Sequence, residues 1–337
     1  MDFFYATLGL VILLLAGDSL VRGAVNLSLR LGVPALIVSL TVVAFGTSAP
    51  ELLISVKAVL DKVPGLALGN VVGSNIANIL LVLGIPALIT GLYTADCDTR
   101  RNYISMLAAS VLFMLLAAGG VFGFWQGLTL LAGLGLMLIS AFQEAMSHRR
   151  KVAAERRAAL EAAGAIDDPD ALEAEAEEEG EVEGADPNMP WAKVIFFLVL
   201  GLVGLPLGAD ILVDASTNIA RDFGISETVI GLTLVAVGTS LPELATTLMA
   251  AMRKQADVAL GNVIGSNMFN LLAIIGISGL VGPIPVDPGI LSFDLWVMLA
   301  ASLLLAPFVF RGWHMGRSWG IVLCGLYMVY VVALLGG

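Results

Sequence analysis

A pair of polar motifs occurs twice in this chain inside otherwise apolar sequence, and the duplication limits the possible folds more than any other feature. Residues 43–51 read VAFGTSAPE and residues 235–243 read VAVGTSLPE. Residues 69–78 read GNVVGSNIAN and residues 261–270 read GNVIGSNMFN, at the same spacing of 192 residues. Lipid-facing helices need only be apolar, so duplicated polar residues within them indicate a shared task. A two-fold repeated transporter with its site where the repeats meet is the leading interpretation.

The composition places the chain in a membrane. It is 58% hydrophobic and 13% charged, with a mean hydropathy of +0.93, which is typical of a polytopic membrane protein. The net charge of −11 arises mostly in residues 148–190, which hold thirteen acidic against five basic residues. No basic stripe or patch lies elsewhere. We therefore expect the lipid bilayer as a partner, no nucleic acid, and no obligatory protein partner.

Apolar runs predict an all-α membrane protein with ten transmembrane helices. The runs fall near 3–21, 33–60, 65–91, 103–119, 122–145, 191–213, 225–252, 257–282, 290–310 and 317–335. This predicts a first five-helix repeat over 1–147, a linker over 148–190 and a second five-helix repeat over 191–337. Because each repeat crosses the membrane an odd number of times, the two repeats must have inverted topology.

The distribution of Lys and Arg predicts the orientation. With the N-terminus outside, fourteen basic residues lie in the inner loops and only Lys57, Lys62 and Arg221 lie outside. The positive-inside rule then places both termini outside and the linker in the cytoplasm. The predicted location is the cell membrane, inner or plasma, as a multi-pass protein.

The acidic linker allows two interpretations. Its first part, from Arg149 to Ala163, is rich in Ala and could extend the fifth helix into water. The rest is predicted to be disordered, because like charges repel and few apolar residues are present. It is either a solvated tether, which is the favoured reading, or a calcium-sensing or cation-concentrating loop; no EF-hand spacing supports the second reading.

Two prolines predict broken helices at membrane depth. Pro50 has no N–H to donate to the carbonyl of Gly46, and Pro242 has none for Gly238. A helix break in a membrane is tolerated only where the free carbonyls line a cavity. Together with neighbouring hydroxyls and a carboxylate they form an all-oxygen site, which suits a hard cation such as calcium or sodium.

The two glutamates are the strongest candidate residues. Glu51 lies three and four residues after Ser48 and Thr47, so the three side chains can share one helix face, and Glu243 repeats the arrangement. A carboxylate deep in a membrane is costly and indicates function. Two of them would neutralise one calcium or two sodium ions. With no His or Cys near these motifs, we predict no enzyme activity and no cofactor.

Further polar residues accompany the glutamates. Asn70, Ser74 and Asn78 form a stripe at i, i+4 and i+8, and the second repeat carries the same stripe. Its members there are Asn262, Ser266 and Asn270. Three aspartates within apolar runs, Asp18, Asp210 and Asp294, are predicted to be helix-end carboxylates in contact with water. For Asp18 and Asp210 the alternative is a role in gating or admitting ions.

These motifs resemble the alpha-repeats of the cation/calcium exchanger superfamily, in particular its prokaryotic sodium/calcium exchangers. The resemblance covers essentially the whole chain. It implies sodium and calcium as transported ions and ligands on the second, third, seventh and eighth helices. The implied ligands are Thr47, Ser48, Glu51, Ser74 and Asn78, their counterparts Thr239, Ser240, Glu243, Ser266 and Asn270, and the backbone carbonyls of Ala44 and Ala236.

The resemblance also implies a mechanism: electrogenic sodium/calcium antiport by alternating access, with the first and sixth helices sliding across the other eight. Some relatives have an acid where this chain has Asn78 or Asn270. Because an amide does not exchange protons at ordinary pH, proton coupling and potassium dependence lose support here. They stay open as alternatives, since Glu51 and Glu243 could carry protons. A cation channel or sensor is the third hypothesis.

Overall fold

The protein is a helical bundle. The computed structural model describes residues 1–92, 99–163, 186, 188–224 and 236–336. Within these ranges, seven helices are long and apolar enough to cross a membrane, and an eighth span results if one bent helix pair is counted as a single crossing. The linker from residue 164 to 185 and the predicted helix segment 225–235 lie outside the described residues.

The elements of the first half contain one bent pair, α2 and α3. They are α1 (Asp2–Leu31), α2 (Ala35–Thr47), α3 (Ala49–Leu60), α4 (Pro64–Ile89), α5 (Arg100–Ala117), β1 (Val121–Phe122) and α6 (Phe124–Ala163). The second half contains a similar series of described helices, but its strand precedes the fifth of them, whereas β1 follows the fifth helix of the first half. The described elements of the second half are α7 (Trp191–Asp222), α8 (Ala236–Gly238), α9 (Leu241–Met252), α10 (Ala256–Val281), β2 (Ile284–Pro285), α11 (Ile290–Arg311) and α12 (Arg317–Gly336).

Two helices extend further than the apolar runs predict. Helix α1 continues from the predicted end at residue 21 to Leu31, and α7 continues from residue 213 to Asp222. Hydropathy marks only the apolar part of a helix, whereas the polar continuation satisfies its own backbone and packs against neighbours. The Ala-rich segment after residue 148 is helical to Ala163, as predicted.

The burial of the helices is uneven. Helices α4 and α10 are the most buried, and α6 and α12 are the least. The motif-bearing helices therefore form the centre of the bundle, where polar side chains are shielded from lipid.

Helices α1 and α7 form an extensive pair. Their backbones approach so closely that a Cβ atom on Gly9 would lie 2.6 Å from the backbone nitrogen of Leu212, and one on Gly208 would lie 2.8 Å from that of Leu13. Small residues at these positions allow the close approach. The pair is therefore locked together along much of its length.

Three contacts between loops or helix ends connect distant parts of the chain. Strands β1 and β2 pair antiparallel, Leu92 bridges Met315, and Arg30 at the end of α1 donates to the carbonyl oxygen of Met189, just before α7. Each contact joins segments that the predicted topology places on the same side of the membrane.

Candidate cation-binding site

The two halves break their helices at corresponding serines. Ser48 has φ −87° and ψ 5°, and Ser240 has φ −88° and ψ 4°. In the first half the helix axis bends by 44° at this point. A new helix begins at the next residue in each half, and its second residue is a proline. Proline is tolerated there because the N–H groups of a first helical turn have no acceptor within the helix. The two segments, GTSAPE and GTSLPE, differ at one position, and their serines adopt the same backbone angles.

The break is two residues later than the sequence argument placed it. We assigned it to Gly46, but residues 44–47 are helical and the Ser48 N–H donates to the Ala44 carbonyl at 3.1 Å. Gly46 instead packs against α7, where a Cβ atom would require the end of the Leu202 side chain to move. The missing donor of Pro50 thus starts a new helix after the break.

Glu51 and Glu243 lie in the first turns of α3 and α9 and are completely buried, at 1% and 0% exposure. They are close enough to repel each other electrostatically. Ser48 of the first half donates a hydrogen bond of 3.0 Å to Oε1 of Glu243 in the second half. These two residues are 195 positions apart in the chain, so the hydrogen bond brings the two motifs together in one site.

Several buried oxygens of this site have no protein donor. Within the described residues, both carboxylate oxygens of Glu51, Oε2 of Glu243, Oγ of Ser240 and Oδ1 of Asn78 make no hydrogen bond. A buried carboxylate without a partner costs several kcal/mol, on the order of the penalty for removing an ion from water. A cation bound between these oxygens would offset that penalty, so the donor set fits a hard cation.

Thr47 connects the first motif to α10. Its Oγ1 lies 3.3 Å from Oδ1 of Asn262, 3.3 Å from the Ala44 carbonyl oxygen and 3.5 Å from Oγ of Ser266. Asn262 in turn donates from Nδ2 to Oγ1 of Thr247 at 3.0 Å. These contacts hold the hydroxyl of Thr47 among predicted ligands of both halves.

Asn78 and Asn270 each open a π-helical turn, over Asn78–Val82 and Asn270–Ile274. A π turn interrupts the regular hydrogen-bond ladder of a helix and is common at functional sites. Both amides are buried, at 1% and 0% exposure. Ser74 and Ser266 precede them by one helical turn and are also buried.

The remaining predicted ligands are Thr239 and the backbone carbonyl of Ala236. Thr239 is half-buried and lies in the turn before Ser240. For Ala236 the structure describes the backbone at the start of α8. In the part of the chain that the structure describes, no group of three or more His, Cys, Asp or Glu side chains forms a metal cluster. The site therefore combines two carboxylates with neutral oxygens.

Residues beside the predicted ligands also take part, and the sequence analysis missed their role. Asn267 accepts a hydrogen bond of 3.0 Å from Nδ2 of Asn78, and Thr247 and Ser55 accept from Asn262 and Asn70. The signal was available, because Asn267 and its counterpart Asn75 belong to the duplicated GSN segments.

The prediction for Asp18 was wrong. Its carboxylate is mostly buried and forms ion pairs with Arg253 at 2.5 Å and with Arg22 at 3.0 Å. The contact with Arg253 joins α1 to the turn after α9 and could not be predicted from the sequence, because the two residues are 235 positions apart. Asp210 is exposed but lies inside α7, which continues to Asp222, rather than at a helix end, and Asp294 accepts a hydrogen bond from the Tyr330 hydroxyl at 3.0 Å.

Comparison with known proteins follows the same two halves. The family model described as "Sodium/calcium exchanger protein" matches residues 1–143 and 193–336. Sodium/calcium exchanger MaX1 of Methanosarcina acetivorans is 38% identical, over 99% of this chain and 98% of its own length. Putative antiporter CaxA of Alkalimonas amylolytica is 34% identical, over 97% and 95%.

Solved structures show the same similarity. A structure of the sodium-calcium exchanger NCX_Mj, soaked without sodium and calcium, aligns with a TM-score of 0.77 at 30% identity, over 99% of this chain and 98% of that chain. Other structures of NCX_Mj, soaked with sodium and strontium, align with TM-scores of up to 0.78.

Proposed function

The chain belongs to the sodium/calcium exchanger protein family, and we propose that it is an antiporter that exchanges sodium for calcium across the cell membrane. The observation that carries the proposal is the meeting of Glu51 and Glu243, one from each half, in a buried site joined by the Ser48–Glu243 hydrogen bond. Their two negative charges match one calcium ion or two sodium ions. If sodium and calcium compete for this one site, the transport of one ion is coupled to the transport of the other.

The proposed topology is ten transmembrane helices in two inverted five-helix repeats. The β1–β2 pair, the Leu92–Met315 bridge and the Arg30–Met189 contact each join segments that this topology assigns to one side. Inverted repeats around a central site are typical of secondary transporters. By the positive-inside rule, both termini lie outside and the linker lies in the cytoplasm.

Alternating access is supported by an asymmetry between the halves. Helix α1 packs on α9, where Ala245 is 5% exposed, whereas α7 makes no comparable contact with α3 among the described residues. The residue of α3 that corresponds to Ala245 is Leu53, which is 71% exposed. Movement of the α1–α7 pair that exchanged the two contacts would close one side and open the other. In the proposed orientation, the described conformation is closed toward the cytoplasm.

Sodium is the proposed coupling ion. Asn78 and Asn270 occupy positions at which a carboxylate could bind a proton or potassium. Their amides do not titrate near neutral pH. Exchange of sodium for calcium is proposed to move net charge. We propose transport rather than enzyme activity, since the family model and the relative of highest identity reported above are exchangers.

The decisive experiment is radioactive calcium uptake into proteoliposomes loaded with sodium and diluted into sodium-free medium, without potassium and at equal pH on both sides. We expect uptake that requires the outward sodium gradient and increases with an inside-positive potential. Protein-free liposomes are the control. Calcium uptake only after a proton gradient or potassium is supplied would mean that protons or potassium, and not sodium, are coupled to calcium transport. Uptake without any counter-ion would indicate a channel.

A further inference from the structure

An amide ligand has a requirement that a carboxylate does not have. Asn78 can bind a cation only through Oδ1, and its Nδ2 would repel the ion if the amide were turned over. Both ends of the side chain are similar in shape, so packing alone does not fix the orientation. A hydrogen-bond acceptor for Nδ2 is therefore needed on the side away from the cation.

Asn267 supplies this acceptor. Nδ2 of Asn78 donates to Oδ1 of Asn267 at 3.0 Å, and Oδ1 of Asn78 accepts no hydrogen bond from the described residues. Asn267 is 1% exposed, so water does not compete freely for the contact. The bond between the amides directs the oxygen of Asn78 away from Asn267.

The orientation of Asn267 is itself fixed. Its Nδ2 donates to the backbone carbonyl of Asn75 at 3.4 Å and faces Sδ of Met106 at 3.9 Å. Because both neighbours are acceptors, a reversed Asn267 amide would direct its oxygen at them and lose these contacts. The chain of contacts runs from α4 and α5 through Asn267 to Asn78.

The second half does not contain the mirror-image contact. Asn75, the counterpart of Asn267, donates to the carbonyl of Val71 in its own helix at 2.7 Å. Neither amide atom of Asn270 makes a hydrogen bond within the described ranges. The Asn75 side chain is thus a matched control: it has the same residue type, equal burial and the same place in the motif, but among the described residues it makes no hydrogen bond to a predicted ligand. Its substitution keeps the backbone carbonyl that accepts from Asn267.

We propose that Asn267 is a positioning residue that holds the Asn78 amide with its oxygen turned toward the transported cation. This inference rests on the proposed function, because it takes Asn78 as a ligand. Partners that orient a metal ligand commonly affect affinity by about 10- to 100-fold when they are removed. The effect should appear in cation affinity, since the ligand itself stays in place.

A double-mutant cycle tests the proposal through calcium binding to the purified full-length protein in sodium-free buffer. The variants are Asn267→Leu, Asn78→Asp and the two combined. A carboxylate at position 78 presents an oxygen in either orientation and needs no acceptor. We expect Asn267→Leu to weaken calcium binding about tenfold in the protein that has Asn78, and less than about twofold in the protein that carries Asn78→Asp.

The control variant Asn75→Leu should weaken calcium binding less than about twofold. Equal losses in both backgrounds would mean that Asn267 acts through packing, and no loss in either would remove its role; both results would overturn the proposal. Asn267→Ala replaces Asn267→Leu if the leucine variant is not monodisperse. Failure of the parent to exchange sodium for calcium in proteoliposomes would refute the proposed function, while the binding cycle would still decide the role of Asn267.

Discussion

Asp18 of α1 in the first half forms ion pairs with Arg22 and with Arg253 of the second half, whereas the three repeat-related positions are all acidic. These positions are Asp210, Asp214 and Asp61, each 192 residues from its counterpart. The ion pairs of Asp18 stabilise the contact of α1 with the end of α9. The mirror contact, of α7 with the end of α3, would bring three like charges together.

The repeat therefore preserves the residues of the site, whereas the two contacts that the proposed movement of α1 and α7 would exchange differ in charge. The serines of the helix breaks have the same backbone angles to within one degree. The ends of the α1–α7 pair carry different charges, so the two contacts have different free energies. We expect the protein to favour the conformation with α1 on α9 when no ion is bound.

The site itself is also asymmetric in this conformation. Ser48 donates to Glu243, but Ser240 makes no corresponding bond to Glu51 among the described residues. The N–H of Ser240 donates to the carbonyl of Val237, whereas that of Ser48 donates to Ala44, one residue further back. Equal sequences thus adopt two hydrogen-bond patterns because their surroundings differ.

Removal of either glutamate charge should have the largest effect and would show that the two halves contribute equally to the ion site. We expect both Glu51→Gln and Glu243→Gln to abolish calcium uptake into sodium-loaded proteoliposomes, because a neutral amide no longer offsets the charge of the ion. Asp287→Asn, which changes an exposed carboxylate, is the control and should transport normally. Uptake at the parent rate in either glutamine variant would mean that the site is misplaced.

Charge changes at the helix ends should alter the balance between conformations. Arg253→Asp removes the ion pair with Asp18, and Asp61→Arg provides a new partner for Asp210 in the opposite conformation. We expect each to shift the population by roughly tenfold, since a partly buried ion pair contributes about 1–2 kcal/mol.

The shift can be measured by pulsed electron resonance between nitroxide labels at positions 31 and 252, the exposed ends of α1 and α9. The longer-distance population should increase in both variants. Asp61→Asn, which removes a charge without providing a partner, should change it much less. Unchanged distances in Arg253→Asp would show that the ion pair does not set the preference.

The serine hydrogen bonds should give a smaller difference between the halves. Ser48→Ala leaves Oε1 of Glu243 without its donor, whereas Ser240→Ala removes a hydroxyl that has no partner in the described conformation. Without sodium and calcium, we expect Ser48→Ala to lower the free energy of unfolding by about 1.5–3 kcal/mol and Ser240→Ala by less than about 0.5 kcal/mol. Thermal unfolding in detergent with chelator compares them; equal shifts would contradict the asymmetry.

Two lysines should show the smallest effect, and here the halves should agree. Lys62 and Lys254, which follow α3 and α9, both have left-handed backbones with φ of 63° and 58°. Glycine adopts this conformation without steric cost, so Lys62→Gly and Lys254→Gly should each stabilise the protein by about 0.5–1 kcal/mol. The same unfolding assay measures both. A gain at only one position would show that the turns differ in strain.

Much of the fold could be predicted because it depends on local properties. Apolar runs located the helices, although the polar ends of α1 and α7 escaped detection. Duplicated Pro-Glu pairs located both helix breaks to within two residues, because proline limits the backbone of its neighbours. The carboxylates followed from the cost of burying charge.

The repeat, the helix breaks to within two residues and the oxygen-bearing side chains of the candidate site can be predicted from the sequence alone, since these depend on residues within one or two turns of each other. The direction of the contacts between the halves follows only from the tertiary structure: Ser48 donates to Glu243, Asn78 to Asn267, and Arg253 to Asp18. These contacts join residues about 190 to 235 positions apart. Two matching motifs allow either of two mirror-related arrangements, and one of them occurs in the described structure, in which α1 packs against α9.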